Sequence, residues 1–372
     1  MTPTRGEGGS IFRRPWVRNS LAVLTLMVLL LFCGWIYLDA VRVSNLQKMD
    51  EYRQLLGADT TAELWAKSIE ERDPALFQLH GLNSISDLSL IHDQINDDQS
   101  SISLSDDQLR ELLTLVRQSP VAKAPEHVDL ALANPLPSML EIRLLIEACC
   151  RSGDDTRNMA IADKLDSDQE RWLIGVELAE SLVSGGLMIH EMIRTALLML
   201  LLERGTELLG TLDLASLDRA DSALARIELP WQGMARALQI ETMWQFEGDF
   251  MEYWGATWYL SLDFQCFLDR QIPISLDPTD PALQKKYIED LPFYTYITKI
   301  FVPNIANCMD SVRSVDVQLR ALRSAFAATA ARIRGVEWQP PDGVELIETS
   351  DGSPPRIHIT GAPVETDIYL PR

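Results

Sequence analysis

The sequence predicts a mainly α-helical protein, in which a single N-terminal transmembrane helix precedes an α-helical domain of αα-hairpin type and a small β-strand appendage ends the chain. Residues 21–38 form an uninterrupted apolar run. Apolar residues then recur at helical spacing through most of the chain, and residues 336–372 change to a strand-like alternation. The composition, 47% hydrophobic and 23% charged, is that of a chain with a packed core.

The apolar run predicts a membrane anchor. Residues 21–38 carry no charge and would span about 27 Å as a helix, close to the thickness of a hydrocarbon core. Trp35 and Tyr37 lie near its end, where amphipathic rings suit the interface. We therefore predict a retained anchor over residues 19–40, with the lipid bilayer as partner of residues 21–38. A cleaved signal peptide would need a shorter run and a small-x-small site, which residues 37–41 lack.

Charges beside the run predict its orientation. The flank before it holds four arginines against one glutamate (Arg5, Arg13, Arg14 and Arg18 against Glu7), whereas the charges after it nearly cancel. A basic excess favours the cytoplasmic side. We predict a single-pass protein of the inner (cytoplasmic) membrane, with a cytoplasmic tail over residues 1–18 and the remainder in the periplasm or extracytoplasmic space. A formal charge of −21 argues against a nucleic-acid partner.

The outer part divides into three segments. Residues 41–104 are predicted as a juxtamembrane stalk and an acidic loop, in which 41–56 continue the anchor helix and Thr60–Arg72 form a helix. Residues 105–335 form the helical domain, and residues 336–372 the small β segment. The loop is assigned to residues 83–103, which are rich in Ser and Asp and lack helical periodicity.

Apolar periodicity and end signals predict the helices of the domain. Capping boxes at Ser105 and Ser167 mark two helix starts, Gly185-Gly186 a break, and Gly205 a helix end. A near-heptad seam runs from Val312 to Ile333. The predicted helices cover residues 105–116, 139–151, 167–184, 187–204, 217–226, 234–247 and 312–333. Alternation then predicts strands at 344–349, 356–360 and 368–370, the first two joined by a turn.

Four cysteines lie beyond the anchor. Cys149, Cys150, Cys266 and Cys308 would face an oxidising compartment under the predicted topology, which favours disulfides. A bond between the two neighbours on one helix is disfavoured, since their side chains diverge by about 100°. Two alternatives remain. Either Cys149 or Cys150 is cross-linked to Cys266 or Cys308, or all four residues are buried free thiols.

Motifs for catalysis, cofactors and metals are incomplete. The helix at His190-Glu191 begins like a zinc protease motif, but Arg194 stands where the second histidine ligand is needed. The sequence also lacks a nucleophile elbow, a phosphate-binding loop and a dinucleotide fingerprint between strand and helix. We therefore assign no catalytic, cofactor-binding or metal-binding residue.

Residues 231–301 combine aromatic rings with carboxylates. Such a mixture is typical of glycan sites, where rings stack on sugars and paired acids can hydrolyse the glycosidic bond. The residues for such a site are Glu247, Glu252, Trp254 and Trp258. The alternative, which needs fewer coincidences, is that the rings form an inward-facing core stripe.

These observations favour a non-enzymatic function. We expect a membrane-anchored, outward-facing interaction or scaffold component of the cell envelope, with another envelope protein as partner. The alternative is an anchored cell-wall glycan hydrolase that uses carboxylates of the 241–263 region. A third hypothesis is a structural role in which the anchor helix itself makes the contact, through the small-residue patch at Cys33 and Gly34.

Overall fold

A computed structural model gives the fold. It describes residues 15–70, 161–180, 188–227, 229–247, 260–289, 291–296, 298–348, 354–359 and 366–371, together with residues 107, 109, 110, 114, 146, 149 and 150. The helices are α1 (Pro15–Leu56), α2 (Thr61–Glu70), α3 (Ile161–Glu180), α4 (Met188–Leu208), α5 (Leu214–Arg226), α6 (Pro230–Glu247), α7 (Ser261–Leu276), α8 (Pro281–Ile288) and α9 (Thr298–Arg334). The strands are β1 (Val344–Ile347), β2 (Arg356–Ile359) and β3 (Asp367–Tyr369). The predicted fold class is confirmed.

Helix α1 changes character along its length. It is one helix of 42 residues, and its side chains from Leu21 to Tyr37 are exposed on nearly all sides. Within the described part of the chain, it is the one helix long and apolar enough to cross a membrane. Beyond the apolar run, Val41, Asn45, Met49 and Tyr52 are buried at spacings of three and four, which is a single helical face. The segment predicted as a stalk therefore packs against the domain.

Polar contacts hold the outer half of α1 to α7. The Asn45 side-chain amide donates to the Ser261 carbonyl oxygen at 2.9 Å, and the Tyr52 hydroxyl lies 2.7 Å from the Ser275 hydroxyl. Because these contacts follow the same order along both helices, α7 runs in the same direction as α1. The face of α1 is completed by apolar packing with α2, α6 and α7, in a cluster that includes Met49, Tyr52, Leu64, Trp65, Met243 and Phe267.

The long helix α9 is the central element. It packs against α4, α5, α6, α7 and α8, and then against the sheet. Its first half, from Val302 to Val312, lies with Met188 and Ile274 in one apolar cluster. Its second half joins α3, α4, α5 and the sheet in the largest cluster. The helix predicted over residues 312–333 is thus longer in the structure, where it begins at Thr298 and has 37 residues.

Trp172 ties three helices together in the largest cluster. This fully buried residue of α3 donates from its indole N–H to the Leu201 carbonyl oxygen of α4 at 2.9 Å. Its ring meets the Phe326 ring of α9 edge to face, with centroids 5.8 Å apart. Gly205 of α4 lies against the same ring, so α4 continues to Leu208 and the predicted helix end at Gly205 is wrong. The glycine serves close packing here, not termination.

One predicted helix start is also wrong. Helix α3 already begins at Ile161, so the box at Ser167 lies inside the helix. The acidic side chains of this box pair with arginines and not with backbone N–H groups at a helix start. Asp168 lies 3.2 Å from Arg204, and Glu170 lies 2.9 Å from Arg219. The cap of α5 is Asp213, whose carboxylate accepts from the Ser216 N–H at 2.7 Å.

Other predictions fall largely outside the described residues. This applies to the loop at 83–103, the break at Gly185-Gly186 and most of the helices predicted over 105–116 and 139–151. The described residues of those two segments are helical, and Leu109 and Ile146 are fully buried in the largest cluster.

The predicted C-terminal strands form a three-stranded antiparallel sheet in the order β1-β2-β3. Leu346 pairs with Ile357, and Ile357 pairs with Ile368. The alternation places Ile357, Ile359 and Ile368 on the buried face, where the sheet packs on α9. Arg332 of α9 also donates to the Pro371 carbonyl oxygen at 2.7 Å.

The packing at Gly205 can be tested by Gly205→Ala. A Cβ there would lie 2.5 Å from the Trp172 ring and 2.8 Å from the Leu322 side chain. We expect a loss of about 1–3 kcal/mol in the free energy of unfolding from overpacking, which exceeds the helix-propensity gain of up to ~1 kcal/mol. The measurement is denaturant unfolding of the full chain in detergent. Gly210→Ala is the control, since its nearest contact is 3.6 Å from Pro371; equal stability of both variants would contradict the packing.

Candidate functional site

The residues predicted for a glycan site are only partly described. Glu247 is the exposed last residue of α6, and its carboxylate accepts a hydrogen bond from the backbone N–H of Thr61, the first residue of α2. Glu252, Trp254 and Trp258 lie outside the described residues. The structure thus places one of the four beside the start of another helix, and the glycan site stays a prediction.

Asp263, at the edge of the acidic region, contacts the start of α9. Its fully buried carboxylate accepts from the backbone N–H groups of Tyr296 and Thr298, at 2.9 and 3.3 Å, and from the Thr298 hydroxyl at 2.5 Å. Thr298 is the first residue of α9. An amide near a helix start has no partner within its own helix, and Asp263 of α7 supplies one.

Glu241 of α6 does the same for α4. Its carboxylate accepts from the backbone N–H of Met188, the first residue of α4, at 2.7 Å. Burial raises the pKa of the Glu241 carboxyl to about 7, although the Met188 hydrogen bond acts in the opposite direction. Tyr287 and Cys308 face the same carboxylate, whose charge adds to the effect of burial in raising the pKa values of both groups.

The three described acids therefore share one arrangement. Glu241, Glu247 and Asp263 each extend from α6 or α7 to the N-terminus of a helix distant in sequence, namely α4, α2 and α9. Such a contact pairs a backbone amide and places negative charge at the positive end of the helix dipole. The sequence gives no local signal for these contacts, because the partner amides lie far away along the chain.

Aromatic rings of the same region mostly face inward. Phe264 and Phe267 of α7 are buried and stack with centroids 6.4 Å apart and planes at 12°. Trp231 and Trp244 of α6 are half-buried and pack against the clusters around α7 and α9. The arrangement of these four rings fits the core interpretation, whereas the rings of residues 293–296 are exposed.

The five cysteines form no disulfide with one another in the structure. Cys149 is buried against α3, where it contacts the backbone position of Gly175. Cys266 accepts a hydrogen bond from Arg270 at 3.1 Å, and Cys308 lies in the cluster around the first half of α9. Burial raises the pKa of both Cys266 and Cys308. A cross-link between cysteines stays a prediction that non-reducing mass measurement can decide.

The incomplete zinc motif is a buried ion pair. The Arg194 guanidinium donates to the Glu191 carboxylate at 2.7 Å, and both side chains are about 1% exposed. Gly233 of α6 allows α4 and α6 to approach closely, because a Cβ at that position would overlap the Glu191 carboxylate. No group of three or more potential ligands able to hold a metal ion occurs among the described residues.

The opposite face of α4 is apolar and exposed. Ile189, Met192, Ala196 and Leu200 are exposed at spacings of three and four, with Ile193 and Met199 half-buried beside them. The later part of this face, with Ala196, Leu200 and Glu203, borders a shallow groove of about 350 Å³. This face belongs to the helix that the sequence predicts over residues 187–204. An exposed apolar stripe of this kind is typical of an interaction surface.

The buried Glu241 carboxyl predicts a pH-dependent stability. Its pKa is about 7 in the folded chain against an ordinary value of 4.5, so the folded state holds this proton more tightly than the unfolded state. Ionisation between pH 4.5 and 7 therefore costs folding free energy. We expect the stability of Glu241→Gln relative to wild type to rise by about 3 kcal/mol across this interval and then to level off.

The measurement is denaturant unfolding of the full chain in detergent at a series of pH values. Glu203→Gln makes the same chemical change on the exposed face of α4 and serves as the control. A difference between Glu241→Gln and wild type that stays constant with pH would contradict the assignment.

Comparison of the chain with family models, with curated proteins and with solved structures found no match in any of the three.

Proposed function

We propose that the protein is a single-pass, membrane-anchored and outward-facing helical protein, which acts as a non-enzymatic interaction or scaffold component of the cell envelope. The observation that carries the proposal is the continuity of α1. One helix is apolar and exposed on nearly all sides over residues 21–37, and then buries Val41, Asn45, Met49 and Tyr52 in the domain. A domain joined to its anchor without a flexible linker is held directly at the membrane surface.

The proposed location is the inner membrane, with the N-terminus inside and the helical domain in the periplasm or extracytoplasmic space. The support is the charge of the flanks. Arg13, Arg14 and Arg18 immediately precede the apolar run, whereas Asp39 and Arg42 after it form an ion pair with each other at 2.9 Å. The uncompensated basic charge is therefore on the N-terminal side.

The proposed contact with a partner protein is the apolar face of α4. Ile189, Met192, Ala196 and Leu200 form a helical stripe with a groove alongside, as in complexes where one helix lies in the groove of another. Because the opposite face of α4 carries the Glu191–Arg194 pair and the core leucines, its rotation is fixed and the stripe is directed outward.

The contacts of the carboxylates favour this function over a glycan hydrolase. Hydrolysis needs one acid and one base or nucleophile facing a common cleft. Asp263 instead is buried and Glu241 is half-buried, and their carboxylates, like that of Glu247, accept hydrogen bonds from backbone N–H groups at helix starts. Each of these acids therefore stabilises the start of a neighbouring helix, and this role explains its presence without a catalytic function.

A reporter fused behind Arg372 tests the orientation. A phosphatase that folds only outside the cytoplasm is expected to be active there, since the basic flank keeps the N-terminus inside. The control replaces Arg13, Arg14 and Arg18 by glutamate, which should lower the reporter activity by weakening the orientation signal. Activity of a cytoplasm-dependent reporter at Arg372 would overturn the proposed location.

The double substitution Met192→Lys/Leu200→Lys tests the α4 surface. Lysine maintains helix propensity but places two charges on the apolar stripe, so we expect the chain to fold while cross-linking to its partner in intact membranes falls several-fold. Ile333→Lys/Val336→Lys is the matched control, because both residues are exposed; Ile333 lies in the last turn of α9 and Val336 follows the end of that helix. An unchanged cross-linking pattern in the α4 variant, or equal loss in the control, would contradict this surface.

A further inference from the structure

The loop between α8 and α9 exposes aromatic side chains. In residues 291–296, Phe293 is 87% exposed, Tyr296 is 71% exposed and Tyr294 is also exposed. The rings of Phe293 and Tyr294 meet edge to face with centroids 5.6 Å apart. Aromatic rings are costly to leave in water, and a cluster of them at one loop tip indicates a contact surface.

The backbone of this loop is firmly held. Thr295 is buried, and its N–H and hydroxyl both donate to the Pro292 carbonyl oxygen, at 3.1 and 2.6 Å. The next residue, Tyr296, donates its N–H to the buried carboxylate of Asp263. The exposed rings therefore project from a fixed turn.

This turn lies at the end of the domain nearest the membrane-spanning segment. Asp263 belongs to the first turn of α7, whose first residue, Ser261, accepts the hydrogen bond from Asn45 of α1. Because α7 runs in the same direction as α1, its start is its membrane-proximal end. Asn45 follows Leu38 by seven residues, which is about 10 Å along the helix.

We propose that the loop at residues 291–296 enters the headgroup layer of the bilayer spanned by α1, with Phe293 and Tyr296 as the inserting side chains. The headgroup region extends about 5–7 Å beyond the hydrocarbon core on each side, so a turn about 10 Å from that core lies just outside this region and its projecting rings can reach into it. Tyrosine and tryptophan favour this layer, and Trp35 and Tyr37 mark it on α1. The exposed Lys299, at the start of α9, adds a cation for lipid phosphates.

The consequence is a second point of attachment. A single helix lets the domain tilt relative to the membrane, whereas a loop inserted beside it limits that tilt by holding one side of the domain against the lipid. The inference rests on the proposed anchoring of α1, and the experiment below tests the two separately.

The test places a photoreactive phenylalanine analogue, p-benzoylphenylalanine, at one position at a time in the full chain. The positions are Phe293, Tyr296, Phe32 within the span, and Tyr369, which is 57% exposed in the C-terminal sheet. The protein is reconstituted in nanodiscs of phosphatidylethanolamine and phosphatidylglycerol, irradiated and analysed by mass spectrometry. We expect lipid adducts at 293, 296 and 32, several-fold above those at the matched control 369.

Each outcome has a definite meaning. Adducts at 32 with none above the control level at 293 and 296 overturn the loop insertion and leave the anchor in place. Absence of adducts at 32 overturns the anchoring and the inference together. Cross-links from 293 or 296 to protein in place of lipid also overturn the inference, because the rings would then be part of a protein interface.

Discussion

The rest of the structure depends on an uninterrupted helix that begins in the apolar span and ends in the core. A hinge after Leu38 would leave the domain free to move, but α1 continues and buries one face against α7. Two polar contacts, Asn45 to Ser261 and Tyr52 to Ser275, fix the register between the helices. Since a buried amide or hydroxyl without a partner costs about 1–3 kcal/mol, these contacts disfavour a slipped packing. The direction of α7, and through it the end of the domain that lies nearest the apolar span, follows from this register.

The second constraint is the pairing of helix N-termini with acids from neighbouring helices. A helix that starts inside the protein exposes amides which its own backbone cannot satisfy. Here α2, α4 and α9 receive a carboxylate from α6 or α7. Since α6 and α7 belong to the same packed unit, the starts of three other helices are tied to that unit. Acids that are next to aromatic residues in sequence are consequently dispersed in space, which is why a sequence pattern typical of glycan sites can arise from core packing.

Much of the fold was predictable because its signals are local. The charge-free run at 21–38, the periodicity of α2, α5, α6 and α9 and the alternation of the three strands each depend on a few consecutive residues. Errors arose where a distant partner determines the role of a residue. Gly205 lies inside a helix because the Trp172 ring needs the space beside it. Asp168 and Glu170, which follow Ser167, lie inside α3 and pair with Arg204 and Arg219. The same reason hid the roles of Glu241 and Asp263, whose partners are backbone amides 53 and 33 positions away.

The directions of the helices constrain how a partner can approach. Helix α9 starts beside Asp263, at the end of the domain nearest the apolar span. Its first half shares an apolar cluster with Ile274, near the far end of α7, so α9 also runs away from the span. Helix α4 follows it in the same direction, since Met188 lies with the first half of α9 and Gly205 with Leu322 in the second. The apolar stripe on α4 therefore follows the side of the domain, away from its membrane-facing and outermost ends. A surface with that direction fits a neighbour standing on the same membrane, and an aromatic loop that limits the tilt of the domain would hold the stripe at a constant angle to that membrane.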